Sequence, residues 1–179
     1  MSAADPRPLL GEPISLDLLN TRWLQGGEPQ DLLQDTAGLA VWLRTVGLDG
    51  EFPADDAALE HTRAAREALA GLVDAFDPAA AARVDAVLAH GRVRPTLTAE
   101  GPGEAAEFAD ATWGPGWTAA RAHLELMRTA PDRIRRCAHE SCVLHFLDTS
   151  RNGTRRWCSM AVCGNRAKAS RHYARRHDH

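Results

Sequence analysis

The four cysteines of this chain are the residues whose type and spacing could do chemistry. They form two pairs, Cys137 with Cys142 and Cys158 with Cys163. Four residues separate the members of each pair, and fifteen residues separate the pairs. Two such pairs can present four thiolates to one ion, and zinc takes four sulfur ligands in a tetrahedron. The spacing therefore predicts a structural zinc site made of these four side chains.

Two other interpretations of the cysteines stay open on the sequence alone. Two disulfides would also use an even number, but residues 1–24 carry charges throughout and lack the apolar segment of a secretory signal. Free buried cysteines would have no reason to cluster while the rest of the chain has none. His139 and His145 are considered as substitute ligands. Because four thiolates already complete a tetrahedron, we expect both histidines around the site or on the surface.

Composition and charge limit the class of protein. The 179 residues are 44% hydrophobic and 25% charged, which is typical of a globular chain. No apolar run approaches the roughly 20 residues of a membrane span, so we expect a cytoplasmic location and no membrane partner. The net charge of −3 combines −10 over residues 1–130 with +7 over residues 131–179. A basic segment carried by an acidic body is typical of a protein that meets a polyanion, although the two parts could instead attract each other.

Helical patterns dominate the first 130 residues. Residues 14–21 are apolar enough to enter the core, either as a short strand or as a first helical turn. A helix is predicted over residues 35–46 and a longer one from a cap near residues 53–56. The longer helix must end before Pro78, where a third helix starts and runs to about Ala89.

A hairpin and a last helix complete this part. Residues 92–98 and 104–108 lose the helical period and flank Gly101-Pro102-Gly103, which predicts a hairpin that turns at those three residues. A helical pattern then returns from Trp113 and ends at Pro131.

The cysteine spacing also limits the fold of the C-terminal module. Residues five apart on a continuous helix point about 140° away from each other, so each cysteine pair must straddle a turn. Between the pairs, residues 143–148 and 154–157 flank Asn152-Gly153, a strong hairpin signal because both residues tolerate positive φ. A helix is predicted over residues 165–176, with Cys163 in its first turn.

Together these elements predict an α+β fold that is mainly α-helical. Residues 1–130 form a helical domain with a small hairpin or sheet. Residues 131–179 form a treble-clef-like zinc finger of knuckle, hairpin, knuckle and helix.

The C-terminal module resembles a known family. Its cysteine pattern leads into Gly164-Asn165-Arg166, with Phe146-Leu147-Asp148 before the hairpin turn and Arg156-Trp157 after it. These residues closely resemble the CGNR zinc finger of bacterial stress-induced transcription regulators. The resemblance implies zinc on the four cysteines and a DNA-binding role for the finger.

The N-terminal part is similar to the domain that precedes this finger in the same family. Residues 16–21 look like the opening motif of the ABATE domain, and residues 32–47 are similar to its following helix. The resemblance thus covers nearly the whole chain, most strongly residues 132–176. It implies a stress-induced regulator of transcription, and response to a ligand is a separate hypothesis.

Basic residues of the C-terminal part are candidates for binding nucleic acid. Arginine forks match phosphate groups, and affinity from several such contacts falls steeply with salt. Asn165 and Arg166 could contact bases or phosphates. Alternatively, Asn165 could cap the helix or bond a cysteine sulfur, and Arg166 could offset thiolate charge. The candidate DNA-binding residues are Arg151, Arg155, Arg156, Asn165, Arg166, Lys168, Arg171, Arg175 and Arg176.

Other functional classes are weighed beside DNA binding. The alternative is a zinc-stabilised module for protein interaction or structure, without direct nucleic-acid binding. No enzyme is expected, because the polar residues of the helical segments show no recognised pairing of nucleophile and base. The polar residues considered are Asp17, Asn20, His61, Arg66 and His123.

A small-molecule effector and a homodimer are also considered. Asn20, Thr21 and Arg66, together with tryptophans, could line an effector pocket between the helices and the hairpin. A homodimer is considered because one finger contacts few bases, although no heptad repeat marks an interface.

Overall fold

The computed structural model describes residues 4–74 and 78–165. The architecture is α+β and mainly α-helical, as the sequence predicts, and its strands pair as antiparallel two-stranded sheets. The helices are α1 (Ile14–Leu19), α2 (Thr36–Val46), α3 (Asp56–Asp74), α4 (Pro78–Leu88) and α5 (Gly114–Thr129). The strands are β1 (Arg22–Gln25), β2 (Glu28–Asp31), β3 (Gly91–Thr98), β4 (Gly101–Phe108), β5 (Ile134–Arg136) and β6 (His145–Leu147).

The ambiguous segment near the N-terminus is helix α1, followed by a hairpin that the sequence pattern did not predict. Leu16 and Leu18 are fully buried, because this short helix is covered by packing on all sides. Strands β1 and β2 then pair with Gln25 opposite Glu28. Gly26 and Gly27 have φ of 63° and 93°, so the two glycines form the tight turn rather than a simple break.

Helices α2 to α5 confirm the predicted helical pattern. The side chain of Asp35 accepts a hydrogen bond from the Gly38 amide at 2.8 Å and so caps α2 at its start. Helix α3 lies at the centre and packs against α1, α4 and α5. Its buried Leu69 and Leu72, with Val84 of α4, contribute to one apolar core.

The predicted hairpin before α5 is present, but its turn lies earlier than predicted. Thr98 pairs with Gly101, so the turn residues are Ala99 and Glu100 rather than residues 101–103. The Thr98 hydroxyl donates to the Glu100 carboxylate at 2.7 Å and stabilises the tighter turn. Local side-chain bonding has therefore overridden the Gly-Pro-Gly signal.

The predicted strand pairing inside the finger is wrong. Strand β6 pairs with β5, not with residues 154–157, which contain no strand. The turn itself is present, with Gly153 at φ 62° and its amide 3.2 Å from the Ser150 carbonyl oxygen. The Asp148 carboxylate accepts hydrogen bonds from the amides of Ser150 and Arg155, so a side chain takes the place of the expected strand partner.

Of the predicted helix over residues 165–176, only Asn165 falls within the described residues, so the treble-clef description stays a prediction. Within the ranges 4–74 and 78–165, none of the helices has both the length and the apolar character that crossing a membrane requires.

The two parts of the chain share a second, smaller core. Trp23 of β1 packs with the four cysteines, Leu144 and Phe146, and Leu32 also contacts this cluster. Helix α1 contacts strand β6. The finger therefore lies directly on α1 and the β1–β2 hairpin.

Candidate metal centre

The four cysteine side chains converge on one point. Their Sγ atoms all lie within 4.8 Å of one another, and each side chain is buried. The Cys142 and Cys158 sulfurs are 3.7 Å apart, and the Cys158 and Cys163 sulfurs are 3.6 Å apart. All four thiols are free.

Local turns aim each pair at that point, as the spacing predicts. In the first pair, the Cys142 amide donates to the His139 carbonyl oxygen at 3.0 Å, which closes a turn between the two cysteines. In the second pair, a π-helical turn (Met160–Gly164) follows Ser159, whose hydroxyl accepts from the Val162 amide at 3.3 Å. The five-residue spacing and the two turns therefore explain why four side chains meet.

The arrangement fits a tetrahedral metal ion. With zinc–sulfur bonds of about 2.3 Å, a tetrahedron places its sulfurs about 3.8 Å apart. The 3.6 and 3.7 Å separations agree with that spacing. A disulfide requires about 2.05 Å, so these contacts are those of a shared ligand sphere rather than of bridged sulfurs.

The protonation of the thiols is unequal. Hydrogen bonding with Cys158 is the main cause that lowers the pKa of Cys142 to about 5, while burial opposes it. The same contact raises the pKa of Cys158, and burial raises the pKa of Cys163 to about 12. These shifts favour negative charge on Cys142 over Cys158 and Cys163. A divalent cation that binds thiolates would displace protons from the cluster.

The guanidinium of Arg155 bonds the backbone at the second cysteine pair. The Arg155 Nε donates to the Trp157 carbonyl oxygen at 2.9 Å, and its Nη2 donates to the Cys158 carbonyl oxygen. The same guanidinium lies 4.3 Å from the ring centre of Phe146. These contacts hold the backbone at Cys158 and leave Arg155 little freedom to contact another molecule.

Two family models match the chain. The CGNR zinc finger model matches residues 133–176. A second model, ABATE, described as "Putative stress-induced transcription regulator", matches residues 12–138, which is more than half of the chain. The chain belongs to the ABATE family. No curated protein matches it.

The family assignment agrees with the resemblance seen in the sequence motifs. The ABATE match ends at residue 138 and the CGNR match begins at residue 133, so they overlap across β5 and Cys137. One family is described as regulatory and the other as a zinc finger, and neither description names an enzyme.

The CGNR finger exposes several arginines in one region. Arg151 and Arg156 are exposed on and after the 150–153 turn, and the Arg156 guanidinium lies 5.1 Å from the Trp157 ring centre. Arg135, which the sequence pattern did not single out, is also exposed and reaches within 3.5 Å of the Gly153 carbonyl oxygen. Arg151 and Arg156 lie on and after the 150–153 turn, and Arg135 reaches this turn from strand β5, so we call these three residues the loop arginines.

The other predicted DNA-binding residues are placed as follows. Asn165 is exposed, and its amide donates to the Ala161 carbonyl oxygen at 3.1 Å, which is a bond within its own turn. Outside the described residues lie Arg166, Lys168, Arg171, Arg175 and Arg176.

The three residues assigned to an effector pocket in the ABATE part lie close together. The Arg66 Nη1 donates to Thr21 Oγ1 at 2.8 Å. Asn20 is fully buried and bonds the backbone of His145. Of the three, Arg66 lines an open groove, whereas Thr21 and Asn20 are buried within the protein.

Sequence reasoning missed several residues that position the finger. Trp23 packs against the cysteines, and the Glu12 carboxylate accepts from the Leu147 amide at 2.8 Å. Arg7 is buried and pairs with Asp17 at 2.6 Å. A tryptophan shortly before the Gly26-Gly27 pair was the signal in the sequence that could have indicated Trp23. The partners of Glu12 and Arg7 are long-range and left no local pattern.

Proposed function

We propose that this protein is a zinc-dependent, DNA-binding regulator of transcription in the bacterial cytoplasm, and not an enzyme. The observation that carries the proposal is the convergence of four buried sulfurs within 4.8 Å, in a segment that matches a zinc finger and follows an ABATE domain. The donor set of four thiolates selects zinc, because soft sulfur ligands in a tetrahedron suit that ion.

The charges of the finger support a polyanionic partner. The loop arginines are exposed, so they can reach phosphate oxygens without breaking a buried contact. Beyond the described residues the sequence adds five further cations between positions 166 and 176. Contacts of this kind position a protein on DNA and give an affinity that falls with salt.

Among the described residues, few arginines of the finger form ion pairs with acidic residues of the ABATE part. Arg136 lies 3.9 Å from Asp74, and Arg155 lies 3.9 Å from Glu12. Both separations are long for an ion pair. Among residues 131–165, internal attraction therefore accounts for little of the positive charge, and the loop arginines stay available.

A second candidate function is a zinc-stabilised structural or protein-interaction module without DNA binding. The shared core between Trp23 and the cysteine cluster supports it, because this packing joins the finger to the β1–β2 hairpin. In this case the zinc site would be needed for stability, and the loop arginines would bind an acidic protein surface or nothing.

The separating experiment is DNA binding by the full chain, measured by fluorescence anisotropy over a range of salt concentrations. The zinc-loaded protein is compared with protein treated with a chelator. DNA binding requires an affinity that falls with salt and is lost without zinc. Absence of binding at low salt by zinc-loaded protein would favour the second candidate. Sedimentation of the same samples would show whether the protein binds as a homodimer.

A further inference from the structure

A groove of about 600 Å³ lies where the β1–β2 hairpin, helix α3 and the finger meet. Its walls are mainly apolar and include Trp23, Leu24, Ala70 and Val143. Three basic side chains, Arg22, Arg66 and His145, also line it, together with the acidic Asp31 and Asp74. An apolar groove with a few convergent polar groups is the usual form of a small-molecule site.

Two side chains that line this groove each carry a buried nitrogen atom with no hydrogen-bond partner among the described residues. These atoms are Arg66 Nε and His145 Nε2, whose residues are 2% and 7% exposed. A buried polar atom left unpaired costs about 1–3 kcal/mol, so two at one groove require an explanation.

The surroundings of Arg66 explain why its Nε stays unpaired. Its Nη1 and Nη2 donate to the two carboxylate oxygens of Asp31 at 2.6 and 2.8 Å. This fork fixes the guanidinium plane. The nearest carboxylate oxygen to Nε belongs to Glu67 at 3.7 Å, which is too long for a hydrogen bond.

His145 is held in a comparable way. Its backbone amide and carbonyl both bond Asn20, and its side chain is only 9% exposed, so packing restricts the ring. The Asp74 carboxylate is 3.8 Å from Nε2, again beyond hydrogen-bond distance. Burial is the largest cause that lowers the pKa of His145, so the ring is neutral and one of its nitrogens carries a proton.

We propose that this groove binds a small molecule with an apolar body and a carboxylate or carbonyl oxygen, which accepts hydrogen bonds from Arg66 Nε and His145 Nε2. The apolar walls hold the body, and the two fixed nitrogens hold the oxygen. Asp31 neutralises the Arg66 charge, and the carboxylate side chains of Glu67 and Asp74 are 54% and 55% exposed, so they can turn toward water. The shared requirement is therefore the acceptor oxygen rather than a net charge.

The position of the groove would couple the ligand to the finger. Arg66 belongs to α3 of the ABATE part, whereas His145 starts strand β6 of the finger. One oxygen bonded to both would favour the docked arrangement of the two parts. An effect on transcription rests on the proposed function, but binding itself is measured without DNA, so the two can fail separately.

The test uses three probes of equal chain length on the zinc-loaded full chain. Octanoate and octanamide carry an acceptor oxygen, whereas octylamine is a cation without one. Saturation-transfer NMR reports binding below the concentration at which the probes aggregate. The proposal requires that octanoate or octanamide binds and that octylamine does not. Binding of octanoate alone indicates a charged carboxylate ligand, and binding of octanamide alone indicates a neutral carbonyl ligand. Equal binding of all three, or binding of none, would overturn the proposal.

Substitutions then locate the site. His145→Phe keeps an aromatic ring but removes Nε2, and we expect the affinity to fall about tenfold, as for the removal of one hydrogen bond. His90→Phe makes the same change on an exposed residue away from this groove and should leave the affinity unchanged. If His145→Phe does not fold, Ala70→Phe fills the groove from α3 and must abolish binding. Unchanged affinity in a folded His145→Phe or Ala70→Phe protein contradicts the proposal.

Discussion

Asn20 and His145 are joined by two hydrogen bonds although 125 positions separate them in the chain. The Asn20 Oδ1 accepts from the His145 amide at 2.8 Å, and its Nδ2 donates to the His145 carbonyl oxygen at 2.9 Å. The Asn20 side chain thus bonds both backbone groups of His145 at the start of β6, as the backbone of a neighbouring strand would. This pair is a buried polar link between the ABATE part and the finger.

The first prediction concerns that link. Asn20→Ala leaves the amide and carbonyl of His145 buried and unpaired, so the free energy of unfolding should fall by about 2–4 kcal/mol. Denaturant titration followed by circular dichroism measures the loss. Asn152→Ala, an exposed change of the same type in the finger turn, should stay within about 0.5 kcal/mol. Equal stability of both variants would show that the link has no energetic role.

A second prediction concerns the buried ion pair of the N-terminal segment. The guanidinium of Arg7 bonds Asp17 at 2.6 Å, and Trp42 Nε1 donates to the same carboxylate at 3.1 Å. Arg7→Met leaves the Asp17 charge uncompensated and should destabilise the protein by roughly 3–5 kcal/mol.

The control for Arg7 removes the partner charge as well. Adding Asp17→Asn to Arg7→Met should restore part of the lost stability, because no unpaired carboxylate then remains. Thermal melting of the single and double variants gives the comparison. A double variant with the same stability as the single one would mean that lost packing of the Arg7 side chain, rather than the unpaired charge, causes the destabilisation.

A third prediction concerns acid sensitivity. Burial lowers the pKa of His123 from 6.5 to about 4, so the folded protein keeps this ring neutral while the unfolded chain protonates it. The unfolded state then binds the extra proton, and stability falls as the pH decreases from about 6.5 to about 4. The slope is at most about 1.4 kcal/mol per pH unit, with a total of roughly 3 kcal/mol.

Denaturant titrations at several pH values measure this slope. His123→Gln should flatten it between pH 6.5 and 4, whereas His90→Gln, on an exposed residue, should keep it. Part of the slope should remain in His123→Gln, because burial also lowers the pKa of His145. An unchanged slope in His123→Gln would rule out His123 as the source.

A fourth prediction concerns the loop arginines. Alanine at Arg135, Arg151 and Arg156 together should weaken DNA binding and lower the salt slope by up to about 3, near one for each phosphate that is no longer neutralised. The zinc content should not change, because these side chains do not support the cysteines as Arg155 does.

The matched control removes three positive charges from the ABATE part instead of from the finger. Arg92, Arg94 and Arg128 are exposed arginines of the ABATE part, with side chains 80%, 57% and 73% exposed. Alanine at all three should leave the salt slope of DNA binding unchanged. Equal weakening by both triple variants would indicate a general charge effect rather than a contact surface on the finger.

The sequence predicted what local patterns determine. The cysteine spacing predicted two turns and one cluster, and helical periodicity predicted α2 to α5, because both depend on residues a few positions apart. The pairing of β6 with β5 was not predictable in this way. It joins residues about ten positions apart in the chain, while the Arg155 amide bonds the Asp148 side chain instead of a strand.

Long-range contacts explain the remaining differences. The sequence indicates Asn20 and Arg66 as polar residues of an effector pocket. Only the fold shows that Asn20 bonds the backbone of His145 and that both Nη atoms of Arg66 bond the Asp31 carboxylate. The groove itself is formed by three segments distant in sequence. Arg135 was not selected because its nearness to Gly153 arises from the chain path around the cysteines.

The central claim is that four thiolates hold one zinc ion, and metal analysis of the purified full chain tests it most directly. The account predicts one zinc per chain, lost on Cys158→Ser together with the finger's tertiary structure, and retained on Ser141→Ala, a change at an exposed residue beside Cys142. It also predicts four thiols that react only after a chelator is added. Purified protein with no bound metal, or with Cys142 and Cys158 joined to each other in a disulfide, would contradict the account.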